Sequence, residues 1–205
     1  MALALAAAMA LPASASSWFD WSVFQQVEGI SLTGEDAAGE AYAMVDALAS
    51  GADGLISAGN GTVRVIPAVG TNEDMDLFGL VLDYRESEAR GFDQVIVVIG
   101  DNQYFFSSGT SPICQQTQLS DGTVCETLTL LLDGDSIQMV EDLRDHRDEA
   151  VQVVLVGSGG IIHFELTDAI KDGILKLYHL YVAAGGTRQE NLDTITQAHH
   201  TAMNG

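Results

Sequence analysis

The sequence predicts an α/β or α+β fold in which a mixed sheet of about six strands packs with three to four helices in a single domain. Residues 95–99 and 151–156 are short, nearly continuous β-branched runs, which are typical of strands buried on both faces. Residues 127–156 have the spacing of a βαβ unit, whereas residues 95–106 have the spacing of a hairpin. Parallel and antiparallel pairing together predict a mixed sheet.

Individual elements follow from periodicity and from the residues that end them. Strands are predicted at 62–66, 76–84, 95–99, 104–106, 127–132, 151–156 and 161–166, and helices at 35–49, 137–148, 168–184 and 189–203. Pro67 is expected to close the first of these strands. Acidic Glu35 and Asp36 suit the start of the first helix, and Thr167 and Asp168 suit the cap of the third.

The first fifteen residues predict an export signal. Residues 1–11 are Ala, Leu and Met, Pro12 breaks the run, and Ala13-Ser14-Ala15 forms a small-x-small cleavage site. The apolar run is too short for a transmembrane segment, which needs about 20 residues. We therefore expect a signal peptide at 1–15, a single globular domain at 16–205, and a secreted or periplasmic protein. An Ala-rich terminal helix in a cytosolic protein is the alternative.

Export changes the interpretation of the two cysteines. Cys114 and Cys125 bracket a polar segment that contains the turn residues 120–122. In an oxidising compartment, two cysteines that close a short loop predict a disulfide, and the loop-closure model assigns it about 3 kcal/mol. A free reactive thiol is the alternative.

The charge balance restricts the partners. The chain carries 29 acidic and 8 basic side chains, which gives a net charge of −21. Such a surface repels nucleic-acid phosphates and anionic lipid headgroups, so a nucleic-acid-binding role is excluded. Two interpretations of the acidity are open: a proteome that is acidic throughout, or a protein that binds cations or cationic partners.

Residues 157–165 carry a weak catalytic pattern. The glycine-rich run 157–160 follows a predicted strand, where phosphate-binding loops occur, but a strand rather than a helix follows it. Ser158 is a candidate nucleophile, although the glycine spacing differs from a GxSxG elbow. His163 and Glu165 alternate on one face of a predicted strand and could share a proton or a metal. The alternatives are a tight turn and a hydrogen-bonded strand histidine.

Oxygen-bearing side chains predict a weak calcium site. Asn72, Asp74 and Asp76 have the 1, 3, 5 spacing of a calcium loop. Leu77 and Asp83 occupy the positions where an EF-hand requires Gly and Glu, so the pattern is incomplete. Ca²⁺ is therefore the one cofactor that the sequence suggests, and solvated turn carboxylates are the alternative.

Trp18 and Trp21 are the only tryptophans, and they stand in an aromatic segment at the start of the predicted mature chain. They indicate either a binding surface or a segment docked on the core. The leading hypothesis is an exported acidic domain that binds a protein partner or a small ligand and can form a homo-oligomer. A hydrolase with a site near Ser158, His163 and Glu165, and a structural subunit of an extracellular assembly, are the alternatives.

Overall fold

The computed structural model describes residues 19–33, 41–72, 75–107, 113–132 and 134–186. Within them the fold is α+β, with eleven strands in two sheets and four α-helices. Every strand pair in these segments is antiparallel, so the predicted mixed sheet is wrong although the α+β class is confirmed. The predicted signal peptide at 1–15 and helix at 189–203 lie outside the described residues.

The strands divide into a large and a small sheet. They are β1 (Ile30–Thr33), β2 (Ala41–Val45), β3 (Leu55–Ala58), β4 (Gly61–Asn72), β5 (Met75–Glu86), β6 (Phe92–Ile99), β7 (Asn102–Ser107), β8 (Ile113–Gln118), β9 (Val124–Leu132), β10 (Val151–Gly157) and β11 (Gly160–Glu165). The large sheet has the order β1-β2-β4-β5-β9-β8, and β3 pairs with β4 beside β2. The small sheet has the order β11-β10-β6-β7.

The helices lie at the ends and sides of these sheets. They are α1 (Ser22–Gln25), α2 (Asp46–Ala49), α3 (Gln138–Asp145) and α4 (Asp168–Ala183), and a 3₁₀ turn (Gly134–Ile137) leads into α3. The Thr167 hydroxyl accepts a hydrogen bond from the N–H of Ile170 at 3.3 Å, which confirms the predicted cap of α4. None of the helices in the described ranges is long and apolar enough to cross a membrane.

One continuous core fills the space between the two sheets and the two longer helices. Strand alternation sends Leu80, Leu82 and Leu130 of the large sheet, and Val97 and Val153 of the small sheet, into this space. These side chains, with Met139, Leu143 and Ile174 of the helices, line an apolar cavity of about 10 Å³. That volume suits one water molecule at most, and the apolar lining gives a water no hydrogen-bond partner.

The two ends of the described body meet. The backbone N–H of Asp20 donates to the carbonyl oxygen of Ala184 at 2.7 Å, and the ring of Phe19 packs on Tyr181 with 5.9 Å between centroids. Trp21 and Phe24 continue this aromatic cluster. The first segment of the body is therefore anchored to the end of α4.

The predicted helix at 35–49 is wrong at residues 41–45 and correct at residues 46–49. Residues Ala41–Val45 form β2, and only Asp46–Ala49 is helical; residues 34–40 lie outside the described part. Alanine and methionine favour helices in isolation, but pairing with β4 on one side and β1 on the other outweighs that weak preference.

Pro67 does not end its strand as predicted, because β4 continues to Asn72. β3 pairs with β4 at residues 61–64 and β2 pairs with it at residues 68–71. Pro67 therefore lies in the gap between these two neighbours, where only β5 is paired with it, opposite Leu80. A residue without an N–H is tolerated there because no ladder bond is lost on that side.

Candidate functional site

The small sheet has one face on the core and one face on solvent, and the second is the candidate site. Strand alternation buries Val95, Val97, Val153 and Leu155 and points their neighbours outward. We call the outward-pointing set the outer face. Its members are Gln94, Ile96, Val98, Gln103, Phe105, Ser107, Gln152, Val154, Val156, Ile161, His163 and Glu165.

The middle row of the outer face consists of three apolar residues and one histidine. In register across the four strands lie His163, Val154, Ile96 and Phe105. Phe105 is 61% exposed and Ile161 is 57% exposed, which makes them two of the most exposed large hydrophobic residues in the described body. Soluble proteins seldom leave such side chains grouped on one surface unless something binds there.

The outer face also lacks charge. Glu165 is its one acidic residue, and it has neither lysine nor arginine, although 37 of the chain's 205 residues are charged (29 acidic plus 8 basic). Exposed acids lie near its borders instead, namely Asp93 at the register irregularity near the start of β6 and Asp101 in the β6–β7 turn. The surface is thus an uncharged apolar centre with an acidic border.

His163 and Glu165 lie where the sequence predicts, on one face of one strand, and both are exposed. Their cross-strand neighbours on β10 are Val154 and Gln152, which offer neither a second ligand nor a proton acceptor of matching strength. Among the described residues no group of three His, Cys, Asp or Glu side chains comes together. Within the described ranges, nothing therefore completes the predicted pair into a metal site, and its role stays a prediction.

The glycine-rich run 157–160 forms the turn between β10 and β11, with Gly157 paired to Gly160. Ser158 is exposed, and its hydroxyl donates to the carbonyl oxygen of Arg90 at 3.5 Å. His163 lies three residues along β11 from Gly160, a separation of about 10 Å. Ser158 and His163 are therefore not in contact. The turn packs against the backbone of residues 90–91, whereas a phosphate-binding loop would leave that space for its ligand.

That packing explains the glycines. A Cβ on Gly157 would lie 2.6 Å from the carbonyl oxygen of Gly91 and 2.7 Å from that of Arg90. The N–H of Ser158 donates to Gly91 at 3.3 Å, and the N–H of Gly159 donates to Arg90 at 2.7 Å. The turn is thus held against residues 90–91 by backbone hydrogen bonds that a side chain would block.

The same segment surrounds a buried carboxylate that the sequence analysis missed. Glu126 is 2% exposed and accepts hydrogen bonds from three consecutive backbone N–H groups. These are Arg90 at 2.6 Å, Gly91 at 2.7 Å and Phe92 at 3.3 Å. Successive amides of this kind form an anion-binding nest, and here the protein's own side chain fills it.

A second carboxylate holds the side chain of Arg90. Glu86 accepts from Nε and Nη2 of Arg90, each at 2.6 Å, in a two-pronged ion pair. Arg90 Nη1 also donates to the carbonyl oxygen of Gly159 at 2.9 Å. The hydroxyl of Tyr84 donates to Glu86 at 2.9 Å, and burial together with this carboxylate raises the pKa of Tyr84 to about 12. The cluster connects β5, β9 and the β10–β11 turn.

We expect the stability of the protein to fall in acid through Glu86. The Arg90 hydrogen bonds hold the pKa of Glu86 below its ordinary value of 4.5. A lowered folded-state pKa contributes stability that is present above pH 4.5 and is lost as the pH falls through the folded-state value. Urea unfolding measured across this range should show the decline. Glu86→Gln should make this decline shallower without removing it, because other carboxylates, among them Asp142 and Asp172, also have a lowered pKa. A decline as steep as that of wild type would contradict the assignment.

The predicted disulfide is wrong for this fold, because Cys114 and Cys125 are both free thiols. Cys114 lies opposite Leu128 in the β8–β9 ladder, and Cys125 lies opposite Thr117. The two cysteines are thus offset by three residues, about 10 Å along the strand, and point to opposite faces. A disulfide needs Cα atoms within about 7 Å and side chains that face each other.

The predicted calcium residues lie around the connection between β4 and β5. Asn72 ends β4 and is paired with Met75, and Asp76 belongs to β5. Asp74 lies outside the described residues. The described residues on both sides of Asp74 belong to paired antiparallel strands rather than to helices, as an EF-hand would require. Ca²⁺ binding stays a prediction.

Trp21 is buried, with 3% of its surface exposed, and packs edge-on against Phe19 at 5.1 Å between centroids. It is therefore a core residue, and its predicted role as a binding residue is wrong; the docked segment is the interpretation that holds. Trp18 lies outside the described part of the chain. Among the residues that the structure describes, none supplies a hydrogen-bond partner for the buried indole N–H of Trp21.

No protein family, no curated protein and no solved structure matches this chain.

Proposed function

We propose that this protein is an exported acidic domain that binds another protein through the outer face of the small sheet. The observation that carries the proposal is the group of exposed and half-exposed apolar side chains on that face, with Phe105 and Ile161 more than half exposed. An uncharged centre with a polar border is typical of protein interaction sites. The core residues of such sites are depleted in charge, as they are here.

Charge indicates the chemistry of the partner. With a net charge of −21, the protein repels acidic surfaces and attracts basic ones. Asp93, Asp101 and Glu165 are exposed near the borders of the outer face. The partner is therefore expected to present an apolar patch bordered by lysine or arginine, and salt should weaken the complex mainly by slowing association.

The other hypotheses receive less support. A small ligand has no place in the core cavity, whose volume is about 10 Å³. A hydrolase would need a base near Ser158, but the hydroxyl contacts a backbone carbonyl and His163 is about 10 Å along the strand. Binding of a protein partner by the outer face requires no catalytic group.

The export part of the proposal depends on residues 1–15. Their apolar run and small-x-small site match a signal peptide. Intact mass of the protein recovered outside the cytoplasm would show a chain that begins at Ser16, and recovery of the full chain from the cytoplasm alone would refute it.

The binding part is tested with Val154→Lys, which places a charge in the middle of the outer face. A photoreactive phenylalanine analogue in place of Ile161 first identifies the partner by crosslinking, and calorimetry with the purified partner then gives affinities. We expect Val154→Lys to weaken binding at least tenfold, about 1.4 kcal/mol, because the ammonium would have to be desolvated.

Leu55→Lys is the matched control for that test. Leu55 is an exposed leucine, 44% accessible, but it lies on β3 of the large sheet. Its substitution should leave the affinity unchanged. Equal affinities for wild type and Val154→Lys, or equal losses for Val154→Lys and Leu55→Lys, would show that the outer face is not the binding surface.

A further inference from the structure

Strand β7 forms one edge of the small sheet, and within the described residues it pairs with β6 alone. Its sequence, Asn-Gln-Tyr-Phe-Phe-Ser, contains no charged residue, proline or glycine. Proteins normally protect an edge with such residues, because the unpaired N–H and C=O groups accept a foreign strand. The opposite edge, β11, carries His163 and Glu165. As far as the described residues go, β7 is therefore an unprotected edge.

The turn before β7 determines which backbone groups are free. Gly100 has φ +54° and is followed by a residue with negative φ, as in a type II′ hairpin turn. Such a two-residue turn closes on a hydrogen-bonded pair, here Ile99 and Asn102. Because hydrogen-bonded and non-bonded pairs alternate, the N–H and C=O groups of Gln103, Phe105 and Ser107 point away from β6.

Strand β7 is also held firmly from the core side. Asn102 Nδ2 donates to a carboxylate oxygen of Asp142 on α3 at 2.6 Å, and the Tyr104 hydroxyl donates to the same oxygen. The edge is thus ordered before anything pairs with it. Ordering a strand costs conformational entropy, so an edge already in place binds a further strand at a lower cost.

Charge determines which strand fits. Residues 102–120 contain no acidic or basic side chain. These residues include both β7 and β8, which form one edge of the small and of the large sheet respectively. Two copies of a chain with net charge −21 repel each other over most of their surfaces, so they can associate only where charge is absent. The β7 edge meets that condition.

We propose that two copies of this chain pair antiparallel through β7, across a two-fold axis at Phe105, into one sheet of eight strands. In an antiparallel pair, residues opposite each other have side chains on the same face of the sheet. An axis at Phe105 meets this condition, and it brings together the residues of both copies whose N–H and C=O groups point away from β6. Phe105 then lies opposite Phe105 of the second copy, and Gln103 lies opposite Ser107 of the second copy. An aromatic pair directly across two strands stabilises such a ladder.

The distances between like charges support this arrangement. The two Asp101 residues are eight residues apart along the joined strands, about 27 Å at 3.4 Å per residue. The two Glu165 residues are separated by seven strand spacings, about 34 Å. Both exceed the screening length of about 8 Å at physiological salt. Pairing through β7 therefore does not bring Asp101 or Glu165 close to the equivalent residue of the second chain.

The contact is small. A six-residue edge buries less than the roughly 800 Å² per partner of a standard stable interface, so we expect a dissociation constant on the order of micromolar. The two outer faces stay on one side and form a continuous surface. This inference does not depend on what the outer face binds.

Sedimentation over a wide range of protein concentrations tests the proposal. The wild-type mass should rise from one chain to two, and Gln103→Pro should remain a single chain. The Gln103 N–H points away from β6, so proline removes an intermolecular donor without breaking the hairpin; circular dichroism and thermal unfolding check that the fold is kept. Val154→Lys, on the same face but away from the edge, should still dimerise.

A single chain at the highest soluble concentration overturns the proposal, and so does a Gln103→Pro variant that associates like wild type. A second test places a cysteine at the axis. Phe105→Cys with Cys114→Ser should form an intermolecular disulfide under mild oxidation, since paired Cα atoms lie about 5.5 Å apart. Ile161→Cys in the same background should not, because β11 is at the far edge. Equal crosslinking of the two variants would also refute the axis.

Discussion

Replacing Glu126 with alanine is expected to destabilise the protein by about 3 kcal/mol or more. The substitution leaves three consecutive backbone N–H groups, those of Arg90, Gly91 and Phe92, without the acceptor that now binds them at 2.6 to 3.3 Å. Each unsatisfied buried donor costs about 1 to 3 kcal/mol, less where water can enter. The midpoint of urea unfolding measures the loss.

Two further variants make that result specific. Glu126→Gln keeps the shape and one acceptor oxygen, so it should fall between wild type and Glu126→Ala. Glu165→Ala removes an exposed carboxylate and should stay within about 0.5 kcal/mol of wild type. If Glu126→Ala unfolded at the same urea concentration as Glu165→Ala, the nest would contribute nothing to stability.

Gly157→Ala is expected to destabilise the protein by about 2 to 3 kcal/mol. The added methyl would lie 2.6 Å and 2.7 Å from the carbonyl oxygens of Gly91 and Arg90, so the backbone of one segment would have to move. Thermal or urea unfolding would show the effect. Ser158→Ala, one residue further along the same turn, loses a 3.5 Å hydrogen bond of an exposed hydroxyl and should change little.

Glu126→Ala and Gly157→Ala both affect residues 90–91. Glu126 binds the N–H groups of this segment, and Gly157 packs against its carbonyl oxygens. If the segment is displaced by Gly157→Ala, its N–H groups already leave Glu126. The double variant should therefore lose less stability than the two single variants added together. Strict additivity would mean that the turn and the buried carboxylate are energetically independent, contrary to the contacts described above.

Local patterns correctly predicted the elements that depend on nearby residues. The hairpin of β6 and β7, the strands β10 and β11, and the Thr167 cap of α4 were all visible in the sequence, because each depends on residues within a few positions. The helix at 168–184 was found within one residue at its end, since its apolar residues recur on one face.

Non-local pairing could not be predicted in the same way. The spacing of β9, α3 and β10 suggested a βαβ unit, but β9 belongs to the large sheet and β10 pairs antiparallel with β6. Spacing along the chain does not say which strand becomes the neighbour. The cysteine prediction failed for the same reason, because the register of β8 against β9 places Cys114 and Cys125 three residues apart along the ladder.

One missed residue did leave a signal. Counting by twos along β9, Glu126 falls on the same face as Leu128, Leu130 and Leu132, all of which are buried. An acidic residue in an inward-facing position must be paired or hydrogen-bonded. That rule would have marked Glu126 as a special position, although it could not have shown that residues 90–92 supply the donors.

The contact between Asp20 and Ala184 places the two ends of the described body side by side, 2.7 Å apart at one backbone hydrogen bond. Domains whose ends lie close together tolerate reconnection in a circularly permuted order. A short linker that joins residue 186 to residue 19, with new ends opened in an exposed loop, is therefore expected to preserve both sheets.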